Sequence, residues 1–199
     1  MYSKHRLEAL SDAIFAIVMT LLVLELKVPT DVVHGQLWAA LRLDGEDWVA
    51  FFITFFISAR YWMLQHNVFK LTEGFTHHAV ILTFIFLGFV TILPFSSTLL
   101  GRHFSEPLAI ILYLSNQAAI GLALIAKLEF IRLRDRIPKS LELSNLRLRL
   151  YTLTIIMVAS AICIHFFPIR YLLGVPAVAA VISGFFERRN RRVKAKQLA

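Results

Sequence analysis

The sequence predicts an all-α integral membrane protein with six transmembrane helices per subunit and both termini cytoplasmic. Three observations carry this. The chain is 58% hydrophobic and only 17% charged, whereas a soluble domain is nearer half apolar and a quarter charged. The excess is gathered into long blocks. Residues 79–101, 107–126 and 150–169 contain no Lys, Arg, Asp or Glu, and about 20 apolar residues suffice to cross roughly 30 Å of hydrocarbon. Between the blocks, the charges divide by sign from one side of the membrane to the other.

The expected helices cover residues 7–28, 47–68, 77–100, 106–128, 146–167 and 170–187, in one transmembrane domain over 1–187. A basic cytoplasmic tail follows over 188–199. The first block ends in Glu25-Leu-Lys27 rather than in a small-residue cleavage site, so it is expected to be retained as a helix. Residues 37–43, in the long connection after it, suit a short interfacial helix. The second span closes on Arg60-Tyr-Trp-Met-Leu-Gln-His66, where amphipathic aromatics and a snorkelling arginine suit a membrane interface. In the third, Ser96-Ser97-Thr98 after Pro94 are expected to satisfy backbone groups that the proline frees. The pairs Ala119/Ala123 and Ala180/Gly184 are small enough to let helices approach closely. Strands are not expected, because the blocks are about 20 residues long and lack period-two alternation.

Orientation follows from the cations. One side would carry the N-terminus, the second and fourth connections and the C-terminus, with 17 of the 21 Lys/Arg. The other side holds Lys27, Arg42, Arg102 and Arg170. The positive-inside rule makes the richer side cytoplasmic. Carboxylates collect on the poorer, outer side, where they would gather cations. Topology and anionic lipid account for the basic runs at Arg132-Leu-Arg-Asp-Arg136 and Arg188-Arg-Asn-Arg-Arg192, so no nucleic-acid partner is expected.

The first helix carries the functional reading. Asp12 sits inside an apolar stretch, where an ionisable side chain costs about 2.5–3.5 kcal/mol on insertion scales. Such a residue is either a transported-ion or proton site or a buried polar clamp. At 100° per residue, Leu10, Ile17, Leu21, Leu24 and Val28 fall within about 20–40° of one line. Asp12 lies about 140° from that line, and Ser11 about 120° away on the other flank. Arg6 is 240° round from Asp12 and poorly placed to pair with it. Arg60, His66, His77 and His78 are the candidate partners on other helices. Taken alone, the stripe suits a lipid-facing surface, a helix contact or a pore.

Arg6-x-x-x-Leu10-Ser11-Asp12, with Ala-Ile-Phe-Ala-Ile-Val-Met-Thr-Leu-Leu-Val-Leu-Glu after it, resembles the first helix of the transmembrane protein 175 family. That family includes the endosomal and lysosomal potassium channel and bacterial relatives. Its signature is Arg-x-x-x-Phe-Ser-Asp; here Leu10 stands where the family usually has Phe, keeping an apolar side chain but losing a ring. Size, span count, cytoplasmic termini and the Leu93-Pro-Phe-Ser-Ser-Thr run agree with the family. The resemblance implies a homotetramer that conducts potassium passively, with four copies of helix one lining a pore constricted by aliphatic side chains. It places the rings five, nine and twelve positions after the motif aspartate, at Ile17, Leu21 and Leu24, with Thr20 flanking the ion path. Arg6, Ser11 and Asp12 become a polar network that holds the helix. A single six-span unit suits a bacterial plasma-membrane protein, since animal members carry two units.

Enzymatic and metal chemistry find no support. HExxH, CxxC and carboxylate-rich clusters are absent from the sequence, as is a Gly-x-Ser-x-Gly elbow. Neither a cofactor nor a metal is expected, and Cys163 reads as a small apolar residue. His66 and His77-His78 suit interface positions with a capacity for pH sensitivity. The competing function is a proton-coupled or secondary transporter in which Asp12 titrates; a non-conducting scaffold ranks behind it.

Overall fold

The computed structural model describes residues 3–163, except 29, 31, 33, 44, 136, 138 and 139. These form seven helices: α1 (Lys4–Leu24), α2 (Leu37–Leu43), α3 (Gly45–Phe69), α4 (His77–Thr91), α5 (Leu93–Arg102), α6 (Pro107–Arg134) and α7 (Leu141–Cys163). The sixth expected span, over 170–187, and the tail over 188–199 lie outside the described residues, as does Ala180/Gly184.

Among the described residues, four stretches are long and apolar enough to cross a membrane: α1, α4 with α5 taken together, α6 and α7. At 25 residues, α3 is also long enough, but it falls short on apolarity. Its polar residues explain this: Thr54, Ser58, Arg60 and Gln65 are all buried, so hydrophilic groups are spent on the protein interior rather than on water. α6 is the central column. It packs on α7 and α4 and also meets α5, while α3 packs on α5 and α1.

Several expected boundaries move. α1 runs from Lys4 to Leu24, so Val28 lies beyond the helix and the stripe ends four residues earlier, at Leu24. α6 continues to Arg134 and α7 starts at Leu141. In both, charged residues extend a helix past its apolar block, because helical hydrogen bonding does not stop where hydrocarbon does. The short helix over Leu37–Leu43 appears as expected.

The third span is broken rather than continuous. α4 and α5 meet at Ile92, two residues before Pro94. Proline lacks an N–H and crowds the carbonyl four residues back, which kinks a helix. The hydroxyl groups after it divide their work. Ser96 donates to the Leu93 carbonyl (3.1 Å) and Thr98 to the Pro94 carbonyl (2.9 Å). Ser97 instead reaches α3, standing 2.9 Å from Thr54 Oγ1 and 3.3 Å from the Ala50 carbonyl. Tyr113 OH of α6 is 3.1 Å from the same Thr54 hydroxyl. The kink thus delivers a serine to a hydroxyl cluster that joins α3, α5 and α6.

On the cytoplasmic side of the expected topology, Arg134 of α6 donates to Thr72 Oγ1 (3.2 Å) and the Gly74 carbonyl (3.1 Å), gripping the turn between α3 and α4. Its Nε donates to Asp135. That bond, with the arginine charge, holds the Asp135 carboxyl below the ordinary aspartate range. A lowered folded value stabilises above the unfolded pKa, about 3.9, and the contribution is lost as pH falls through the folded value. Acid titration of thermal stability should therefore show a smaller loss below pH ~4 in Asp135→Asn than in the wild type.

Ala123 is buried and Ala119 half-buried, but the tight contact is built at Gly121. A Cβ there would stand 2.2 Å from Thr154 Oγ1 and 3.1 Å from its Cγ2, so α6 and α7 touch at glycine and threonine. Gly121→Ala should cost about 1–3 kcal/mol through overpacking. Adding Thr154→Ala should restore most of that, since the nearest atom is the threonine hydroxyl. Thermal unfolding of the detergent-solubilised protein reads both.

Candidate functional site

α1 divides its circumference among three surroundings. Leu7, Ser11, Phe15, Val18 and Leu22 are buried, at spacings of four, four, three and four, which form one face of an α-helix. This face packs on α3, α4 and α5, and Phe15 meets Phe86 of α4 with ring centroids 6.0 Å apart.

The aliphatic stripe lies elsewhere and is uncovered within the chain. Ile17 is 57% exposed, Leu21 42% and Leu24 74%, and Leu10 is exposed as well. Beside it runs a line of small side chains: Ala9, Ala13, Ala16 and Thr20 are all exposed, at spacings of four, three and four. The Thr20 hydroxyl donates to the Ile17 carbonyl at 2.7 Å. Its proton is thus committed to its own helix, which leaves oxygen lone pairs free.

Asp12 occupies the third sector. Its Oδ1 accepts a hydrogen bond of 2.8 Å from Trp62 Nε1 of α3, so its partner is an indole rather than one of the cations expected. Trp62 in turn stacks on His66, with centroids 5.9 Å apart and planes 14° apart. One expected candidate therefore reaches Asp12 through the tryptophan. Arg60 is buried within α3. His77 and His78 are exposed in the first turn of α4, and the His78 ring lies 6.1 Å from Phe130.

The three motif residues diverge. Ser11 points into the core, 1% exposed, with no hydrogen-bond partner for its Oγ. Arg6 is exposed. Among the described residues, no hydrogen bond or ion pair joins Arg6, Ser11 and Asp12 to one another. Residues eleven and twelve are 100° apart on a helix, so one turns inward while the other meets the neighbouring edge of α3. The Asp12 bond to Trp62 accordingly runs between α1 and α3.

Two further features escaped the sequence reading. Lys127 of α6 is fully buried. Its Nζ lies 3.9 Å from the centroid of Phe69 and 5.4 Å from that of Phe75, with no hydrogen-bond partner, so the ring faces are its contacts. Only the approach of two aromatics from outside its own helix could have revealed this. The second is an ion pair from Glu25, just past α1, to Arg102 at the end of α5. Among the described residues no group of three His, Cys, Asp or Glu could hold a metal ion.

Trp62→Phe keeps a ring over His66 but removes the donor to Asp12. It should lower stability by about 1 kcal/mol, the usual net worth of one hydrogen bond, whereas Asp12→Asn, which retains an acceptor, should cost less. Thermal unfolding in detergent distinguishes the two.

Comparison with known proteins fits this geometry. Residues 6–94 match the family model described as "Endosomal/lysosomal potassium channel TMEM175". A potassium channel of Streptomyces collinus is 31% identical over 106 residues, 53% of this chain and 52% of that protein. The endosomal/lysosomal proton channel TMEM175 of Gallus gallus is 34% identical over 100 residues, 46% of this chain and 20% of that protein. The match thus spans about half the length of the Streptomyces relative and a fifth of the avian one. The crystal structure of a lysosomal potassium-selective channel TMEM175 homolog from Chamaesiphon minutus shares the fold, with a TM-score of 0.81 and 24% identity over 92% of this chain and 96% of that one. The family match opens on Arg6, contains every candidate residue of helix one and ends at Pro94, so the first part of this chain is similar to the TMEM175 family.

Proposed function

We propose that this chain is the subunit of a passive potassium channel in the plasma membrane. Four copies would surround a pore lined by α1, constricted at Ile17, Leu21 and Leu24 and flanked by Thr20. Both termini would face the cytoplasm. The observation that carries this reading is the division of α1: one face is sealed into the subunit while the aliphatic stripe and the Ala9–Ala13–Ala16–Thr20 line are left bare. The small line lets a neighbouring helix approach closely, which turns the stripe toward a common axis. The relatives named potassium channels support the choice of ion.

The chemistry is coherent with that arrangement. No Thr-Val-Gly-Tyr-Gly filter occurs in the sequence, so a ring of backbone carbonyls of that kind is not available. A narrow aliphatic ring gates by dewetting and favours the cation that gives up water more cheaply, which is potassium rather than sodium. The clamp from Trp62 to Asp12, with Ser11 and Arg6 on the same turns, would fix the rotation of α1 and so the register of the rings.

Relatives named proton channels favour a second reading, a proton-coupled or proton-carrying pathway in which Asp12 titrates. Flux into proteoliposomes separates the two. Under the channel reading, potassium flux is passive and survives Asp12→Asn, and Ile17→Asn lowers potassium-over-sodium preference several-fold while flux persists. A saturating, proton-dependent flux abolished by Asp12→Asn would support the alternative. Particle mass in detergent or lipid should equal four chains; a monomer would rule out a pore built from copies of α1.

A further inference from the structure

We infer that the Glu25–Arg102 pair sets the charge at the Leu24 end of the pore, with Glu25 enriching cations at the mouth and Arg102 restraining that enrichment. The inference rests on the reading that α1 lines the pore. Glu25 directly follows Leu24, the most exposed of the three ring residues. It retains helical backbone geometry, with φ −78° and ψ −16°, and therefore lies about 40° round from Leu21. A carboxylate there is on the flank of the stripe, just past its last ring.

Arg102 Nη2 stands 3.7 Å from Glu25 Oε2, with side chains 44% and 45% exposed. That separation allows charge pairing but exceeds a hydrogen bond, so the carboxylate oxygens remain open to water or a passing cation. The arginine is well placed. It ends α5, where exposed carbonyls favour a cation, and the preceding Gly101 sits against Asp47 at the start of α3. A Cβ on Gly101 would come within 2.2 Å of Asp47 Oδ1, so the last turn of α5 is seated directly on α3. The pair therefore links the outer ends of α1 and α5, with Arg102 held by the frame rather than by Glu25.

An exposed pair of this kind contributes little to stability. Its field, however, acts on ions at the mouth, and that action depends on salt. The Debye length is about 30 Å at 0.01 M and about 3 Å at 1 M. A brace that merely held α1 to α5 would also weaken with salt, but it would be lost alike on removal of the anion or of the cation, so the two variants would change conductance with the same sign.

The experiment is single-channel recording of the full-length protein in neutral-lipid bilayers, in about 0.01 M and 1 M KCl. For ions entering from the Leu24 end at low salt, Glu25→Gln should lower potassium conductance about two- to fivefold, and Arg102→Gln should raise it by a similar factor. At 1 M both should converge on the wild type. Changes of the same sign in the two variants, a loss of conductance that persists at 1 M, or no change at either salt would overturn the inference. Ile17→Asn recorded in parallel separates this failure from failure of the pore reading. If Ile17→Asn alters selectivity and the Glu25 and Arg102 variants do not behave as stated, only the charge role is lost. If Ile17→Asn leaves flux and selectivity unchanged, the pore assignment itself falls.

Discussion

The seat of α1 against the rest of the chain is the contact on which the remainder depends. A helix in a bilayer satisfies its own backbone, so its orientation is decided by side chains alone. In α1, Phe15, Val18 and Leu22 enter the core and Phe15 meets Phe86, while Trp62 takes hold of Asp12 from α3. Apolar packing fixes one face and the polar bond fixes the rotation at the expected cytoplasmic end. With those two settled, the exposure of Ile17, Leu21 and Leu24 follows from helical geometry.

That seat is supported by polar chemistry inside the bundle. Hydrophobic attraction between helices is weak in lipid, so hydrogen bonds and close contacts matter more there. The Thr54–Ser97–Tyr113 cluster joins three helices, and Tyr61 OH donates to the Gln117 carbonyl at 2.8 Å, tying α3 to α6 again. Lower down, Lys127 lies against Phe69 and Phe75, and Arg134 holds the turn that follows Phe69. Two basic residues of α6 therefore meet the end of α3 and the turn after it, Lys127 against ring faces and Arg134 through a backbone carbonyl. Since α3 carries Trp62 and α4 carries Phe86, this fastening also positions both elements that hold α1.

The break at Ile92 has a comparable reach. Pro94 is a local feature, yet its kink directs α5 so that Ser97 meets α3 and Gly101 closes on Asp47. Arg102 arrives beside Glu25 as a consequence.

The sequence by itself determined the class and the helix phases. Long uncharged blocks announce membrane helices because hydrocarbon tolerates nothing else at that length, and the stripe on helix one follows from 100° per residue. The Arg6-to-Asp12 motif carried the resemblance to the family whose model residues 6–94 match. Local pattern could not decide which neighbour meets which face. Asp12 suggested a cation, since charge attracts charge, but tertiary contact supplied the neutral indole of Trp62, fifty residues away in the chain. Lys127 drew no reading from the sequence, because the Phe69 and Phe75 rings against it come from outside its own helix. Ser11 and Asp12 are adjacent in sequence yet face different surroundings, because successive helical residues diverge by 100° and only the assembled bundle defines inside and outside. Periodicity is a property of one helix; partnership is a property of several, and only the tertiary structure holds it.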